Sequence, residues 1–413
     1  MEFFDLVAIV VSLAALFAWL NHRYIGLPTT IGVMLLALCV SLAILVSGQT
    51  LVPGIQDWAR AALTRIDFPR ALLDGMLSFL LFAGALFVNL GDLAERRYVV
   101  GALASGGVLL STAIVGALSW AVLGALGLHP GLAWCLVFGA LISPTDPIAV
   151  LGILKSAGVP RSLETKIVGE SLFNDGIAVV VFLVLLEIAR TGVADPASVA
   201  MLFAREAIGG AVFGFVVGWV AHRMLCAIDQ YQVEILVTLA LVMGGYALAQ
   251  VLHVSGPIAM VVAGLLLGNH ARDRAMSAAT RAHLDDFWEL VDELLNAVLF
   301  VLLGLEVLVV RFSGLELAAG LLMIPVVLLA RFVAVGVPIS LLRPFRTFSP
   351  GVVRILTWGG LRGGISVALA LSLPAGPARD LLLPVTYCIV VFSLVVQGLT
   401  IGSLAVRLQA RPH

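Results

Sequence analysis

The sequence is poor in charge and has almost no polar stretch long enough to form a water-soluble domain. Only 12% of its 413 residues are Asp, Glu, Lys or Arg, while 61% are hydrophobic; a soluble domain carries about one-quarter charged residues. The net charge of −1 gives no reason to expect nucleic-acid binding or an acidic partner. Cysteine is scarce as well. Cys39, Cys135, Cys226 and Cys388 all lie in apolar runs and form no CxxC, so they read as small core residues, not as disulfides or a metal site. A basic leader is also missing. The first apolar run, "FFDLVAIVVSLAALFAWL", follows Glu2 and contains Asp5, which marks it as a span and not a cleaved signal peptide.

What the chain has instead is apolar runs of membrane-crossing length. About 20 such residues make a span, and roughly 13 runs of this kind lie between residues 3 and 406. A bilayer offers the backbone no partner of its own and strand alternation is absent, so all are expected to be helices. Lys and Arg support the count. With the N-terminus outside, fifteen fall in connections on the cytoplasmic side, among them Arg96, Arg97, Lys155 and Lys166, and seven on the other. That bias favours an odd number of spans with the C-terminus inside. The segment "HLDDFWELVDELLN" carries Asp285, Glu289 and Asp292 on one helical face. It reads as an interfacial start to the tenth span, with Trp288 near the headgroups.

Most acids sit at span ends, where a helix-end or snorkelling charge is the ordinary reading; Asp74, Glu187, Glu234 and Glu306 belong there. Five charges do not fit it: Asp146, Glu170, Asp175, Arg331 and Arg362. Ionisable groups in mid-span cost a few kcal/mol each, face the interior or water, and usually pair. Asp146 lies nine residues before Lys155 and Asp175 nine after Lys166, which at helical rise places both roughly 13 Å from one membrane face. On the sixth span Ser171 and Asp175 share one face, and Glu170 and Asn174 the neighbouring one.

Two spans are built to break. In "LISPTDPIAVL", Pro144 and Pro147 bracket Thr145 and Asp146; each proline removes a donor and clashes with the preceding turn, so the fifth span is expected to open there. In "TWGGLRGGISVALALSL", Gly359, Gly360, Gly363 and Gly364 surround Arg362. Small-residue helix packing would account for the glycines but not for the arginine. Spans four to six and eleven to thirteen are thus each three helices with a broken middle member, the pattern of inverted-repeat transporters.

These residues carry a resemblance. "SPTDPIAV" (143–150), "GESLFNDG" (169–176), "FWELVDELLNAVLFVLLGLEV" (287–307), "LLARFVAV" (328–335) and "GGLRGGISVALAL" (359–371) are similar, in order and spacing, to stretches of the NhaP/NHE-type monovalent cation–proton antiporters. The likeness runs over nearly the whole chain. It implies an all-α polytopic membrane protein, one transporter domain over 1–413, whose broken fifth and twelfth spans cross at the midplane. It implies a six-helix core (98–190 and 315–406) moving against a dimerisation part (1–91 and 203–310) in a homodimer. By the same likeness Asp175 binds cation and proton in turn, beside Asn174. Asp146, Ser171 and Thr145, the last through its backbone carbonyl, complete the ligands of a transported Na⁺; Glu170 pairs with Arg331, and Arg362 braces Asp146. One departure is visible: many members carry a third-span glutamate where this chain has Ala83, in "FAGA".

The expected activity is exchange of Na⁺ or Li⁺ for H⁺ in the bacterial inner membrane. A K⁺/H⁺ antiporter of the same fold is the alternative. No cofactor and no enzymatic step is implied. A bare carboxylate in a dry core is costly, so movement is favourable only with proton or cation aboard. With Asn174 in place of a second acid, exchange is expected to be electroneutral. A channel would need a continuous wet pore; here plus and minus charges gather at one depth. An intramembrane aspartyl protease would leave Asn174 and Arg331 without a role, and its GxGD stretch is absent. A non-transporting sensor is disfavoured by the lack of an attached soluble domain.

Overall fold

The computed structural model describes residues 3–50, 54–65, 67–147, 150–151, 154, 161–193, 195–271, 278–345, 348–349 and 351–409. Among the described residues nine helices are long and apolar enough to cross a membrane. They are α1 (Phe4–Ile25), α2 (Thr29–Ser47), α3 (Phe68–Leu86), α4 (Arg97–Ala125), then past Leu132–Ile142, which is α5, α6 (Thr165–Thr191), α7 (Pro196–Leu225) and α8 (Tyr231–Val251). After the short α9 (Gly256–Asn269) and α10 (Ala278–Leu305) come α11 (Gly314–Leu342), α12 (Val352–Trp358), α13 (Gly364–Leu371) and α14 (Pro377–Leu408).

The expected fifth, ninth, tenth and twelfth spans fall outside the nine, each for a visible reason. The fifth stops at Ile142 and the twelfth is interrupted between Trp358 and Gly364. The ninth is short. The tenth is long, but Asp285, Asp286, Glu289, Asp292 and Glu293 crowd its middle. Lys155, used above to gauge the depth of Asp146, lies outside the described residues.

Helix starts follow the sequence. Asp195 takes the backbone N–H groups of Ala197 and Ser198 and the Ser198 hydroxyl, and these donors hold its carboxyl below the ordinary carboxylate range. Ser313 and Glu316 form a capping box at α11. Between helices, small residues set the distances. Gly210 and Gly218 on α7 face Ser255 and Ala263 on or beside α9 so closely that an added Cβ would stand 2.7 Å from the Ser255 carbonyl oxygen and 3.0 Å from the Ala263 Cα. Gly214 faces Ala259 in the same way. Such close backbone approach is how helices associate where no water drives them together.

Several expectations change once helix faces meet. Trp288 is fully buried, not at the headgroups: its Nε1 donates to Thr238 Oγ1 (3.1 Å) and its ring lies 4.7 Å from that of Phe82. The indole N–H has found a partner inside the protein, which removes its reason to seek the interface. Glu234 and Glu306, read as helix-end or snorkelling charges, are buried; Glu234 does sit at a helix end, in the first turn of α8, where the helix dipole favours an acid. Asp74 accepts from Gln250 (2.8 Å). Cys135 is a core residue, whereas Cys39 is exposed on α2 and Cys226 is exposed just past the end of α7. Ala83 is buried in the cluster around Phe82 and Trp288.

Candidate ion-binding site

Two interrupted helices cross at the centre. Residues 143–146, after α5, are not helical, and neither are 360–363 between α12 and α13. A break frees backbone groups that a dry interior cannot leave unpaired. They are satisfied here by one another and by their neighbours. The Asp146 N–H donates to the Leu361 carbonyl (2.8 Å), joining the two breaks directly. Arg362 Nη1 donates to the carbonyl oxygens of Ser143 (2.5 Å) and Pro144 (3.1 Å). Arg331 Nε and Nη2 donate to the Leu356 carbonyl at the end of α12. Gln397 Nε2 donates to the Trp358 carbonyl (2.9 Å), and the Arg362 N–H donates to Ser393 Oγ (2.9 Å).

The acid-bearing helix α6 lies against this crossing. Asn174 Nδ2 donates to Thr145 Oγ1 (2.7 Å) and its Oδ1 accepts the Thr145 N–H (3.4 Å). The hydroxyls of Thr145 and Ser171 stand 3.0 Å apart. One turn before Asn174, Glu170 forms a buried ion pair with Arg331 Nη1. On the adjoining face, Asp175 is 6% exposed and its Oδ1 has no hydrogen-bond partner among the described residues.

Asp175, Asp146, Thr145 and Pro144 line a cavity of about 560 Å³. Asn89, Asp92 and Thr165 line it too. Thr165 and Asp175 are ten residues apart on one helix, about 15 Å, so the cavity runs from a helix end down to the crossing. Five acids face it, Asp92, Asp146, Asp175, Glu289 and Asp292, and among the described lining residues no Lys, Arg or His does. Oxygen donors of this kind suit a hard cation or a proton.

A family model described as "Sodium/hydrogen exchanger, transmembrane" matches residues 11–407. The chain belongs to the sodium/hydrogen exchanger family. Among its relatives in that family, a Na(+)/H(+) antiporter NhaP of Pseudomonas aeruginosa is 53% identical over 98% of this chain and 97% of its own length. A Na(+)/H(+) antiporter NhaH of Halobacillus dabanensis is 36% identical over 98% of this chain and 96% of its own. The fold is that of the sodium proton antiporter MjNhaP1 of Methanocaldococcus jannaschii, with TM-score 0.77, all of both chains covered and 20% identity.

In this exchanger, the residues singled out in the sequence come together at one place. Asp146, Thr145 and Asp175 share the cavity wall; Ser171 and Asn174 stand behind it in contact with Thr145. Pro144 and Pro147 flank one break, and Gly359, Gly360, Gly363 and Gly364 form the other. Arg362 braces the fifth-span break through the carbonyl oxygens of Ser143 and Pro144. Four contributors were not singled out. Ser111 and Thr112 on α4 meet the Ser143 hydroxyl (3.0 and 3.4 Å), and Ser393 and Gln397 on α14 complete the second break. Their signal was faint: polar residues one turn or one step apart in otherwise apolar spans.

Proposed function

We propose that this exchanger-family protein swaps Na⁺ or Li⁺ for H⁺ across the bacterial inner membrane by alternating access, Asp175 holding cation and proton in turn. The observation that carries the reading is the Asp175 carboxyl itself. It is buried, one oxygen has no hydrogen-bond partner among the described residues, and it faces a cavity whose polar lining includes Asp92, Asp146, Thr145, Glu289 and Asp292. A carboxylate in that position is stable only when a proton or a cation neutralises it. The names of the two relatives support the choice of ions.

Asp146, Thr145 and Ser171 are the further cation ligands in this reading, and Asn174 orders Thr145 beside them. Since Asn174 is neutral, a single titrating acid trades one proton for one monovalent cation and no net charge moves. The six-helix core (98–190 and 315–406) carries the site; 1–91 and 203–310 form the fixed part and the homodimer contact. The N-terminus lies outside and the C-terminus in the cytoplasm, because Arg96, Arg97 and Lys166 gather at the end where Asn89, Asp92 and Thr165 line the cavity. The cavity then faces the cytoplasm. Purified protein in vesicles with an entrapped pH-sensitive dye should respond to Na⁺ and Li⁺ more strongly than to K⁺. A response to none of them overturns the reading, and a larger response to K⁺ reassigns the cation.

A further inference from the structure

Beside the second break, α12 and the last turns of α14 lie against each other and run in opposite directions. Trp358 Nε1 donates to Thr400 Oγ1 (2.8 Å), and a Cβ on Gly351 would stand 3.1 Å from the Leu408 Cβ. Arg354 lies one turn before Trp358 on the same face of α12, between those two contacts. Arg407 adjoins Leu408 at the end of α14. The seam thus brings two exposed arginines together. Among the described residues neither takes part in an ion pair. This part of the chain offers them no acid: residues 317–379 contain no Asp or Glu, nor do residues 381–413. Asp380, between those stretches, sits in the first turn of α14, at the opposite end of that helix from Arg407.

Two like charges held side by side repel each other, and their depth in the bilayer supplies an anion. Arg354 lies six residues from Gly360, which opens the break, and Arg407 lies seven from Thr400; these are about 9 and 10 Å of helix. The headgroups begin about 15 Å from the bilayer centre, within reach of a long side chain that starts at that depth. Towards the centre the same face of α14 turns apolar. Val396 and Leu399 are exposed there, with Thr400 and Ser403 between them and Arg407 at helical spacing. A soluble anion gains nothing from such a stripe, whereas a phospholipid fills it with hydrocarbon. Arginine holds phosphate through paired hydrogen bonds, and basic pockets between membrane helices take anionic headgroups. We propose that the α12–α14 seam binds one anionic phospholipid, its phosphate between Arg354 and Arg407 and an acyl chain along Trp358, Leu399 and Val396. The lipid ties the half-helix that ends in the second break to α14, whose Ser393 and Gln397 complete that break.

The test titrates the full-length protein in detergent with dioleoyl phosphatidylglycerol and reads bound lipid by native mass spectrometry, so it does not depend on which ions are exchanged. The unaltered protein should hold phosphatidylglycerol roughly tenfold more tightly than dioleoyl phosphatidylcholine and melt at a higher temperature with it bound. Arg354→Gln/Arg407→Gln should weaken phosphatidylglycerol binding by roughly tenfold and lose that gain in melting temperature. Arg97→Gln/Arg223→Gln removes the same charge from exposed arginines elsewhere and should bind as the unaltered protein does. Unchanged binding in Arg354→Gln/Arg407→Gln overturns the proposal. Equal weakening in both double variants also does, because net charge is then the cause. Phosphatidylcholine held as tightly as phosphatidylglycerol overturns it as well. Displacement of the lipid by glycerol phosphate makes a soluble anion the ligand, and a dimer lost only in Arg354→Gln/Arg407→Gln makes a second copy the occupant; either result overturns it. If that variant fails to fold, Arg407→Gln takes its place, with an expected weakening of about threefold. Failure of both assigns the arginines a structural role and overturns the proposal too.

Discussion

Glu170 and Arg331 meet as a buried ion pair 161 residues apart in the chain, and Arg331 at the same time caps the Leu356 carbonyl at the second helix break. The pair therefore links the acid-bearing helix α6 to the interruption it lies against. Removing one member leaves a buried charge uncompensated, at about 3–5 kcal/mol. Glu170→Gln is expected to lower yield and melting temperature in detergent while leaving KM near normal in whatever folded protein remains. A melting temperature equal to that of the unaltered chain would place the pair outside the framework.

Asp175→Asn should leave a folded protein with no cation-dependent proton movement. The amide keeps the shape of the side chain but binds neither passenger. Dye response in vesicles and a melting curve, taken together, separate loss of the site from loss of the fold.

Gly363→Ala probes the crossing. Gly363 has an extended backbone (φ −127, ψ −158) that any residue adopts, so the cost is one of space. An added Cβ would stand 2.8 Å from the Asp146 Cβ and 3.0 Å from its Cγ. The breaks must then part, lengthening the Asp146 N–H to Leu361 bond. Overpacking of this kind costs about 1–3 kcal/mol, and exchange should fall at least tenfold. An exchange rate within twofold of normal would show that the crossing tolerates a wider spacing.

Charge balance gives a further expectation. If Asn174 leaves a single titrating acid, the exchange rate should not respond to a membrane voltage imposed with a K⁺ ionophore. A rate that rises or falls with voltage, or a measurable net current, would require a second charge to move in each cycle.

Some of the site was legible before any helix was placed, and the legible part has a common physical origin. Asp146, Asp175 and Arg362 stood out because a charge inside an apolar run is expensive whatever surrounds it. The breaks stood out because Pro144, Pro147 and the glycines around Arg362 act on their own backbone. Trp288 was misplaced for the opposite reason. An indole at the start of a span fits the headgroup layer equally well by sequence, and only the Thr238 hydroxyl opposite it decides for the interior. Ser393 and Gln397 read as unremarkable polar residues until α14 is laid beside the broken helix whose backbone they complete.

By itself the sequence determined that this chain is a bundle of membrane helices, with two of them interrupted and acids at mid-depth, because transfer from water and backbone permission are properties of each segment alone. Tertiary structure decided which carboxylate is left open and which is spoken for. Glu170 and Asp175 are the same kind of acid less than two turns apart; Glu170 is neutralised by Arg331, and Asp175 faces the cavity with one oxygen unpartnered. That difference exists only once helix faces have met.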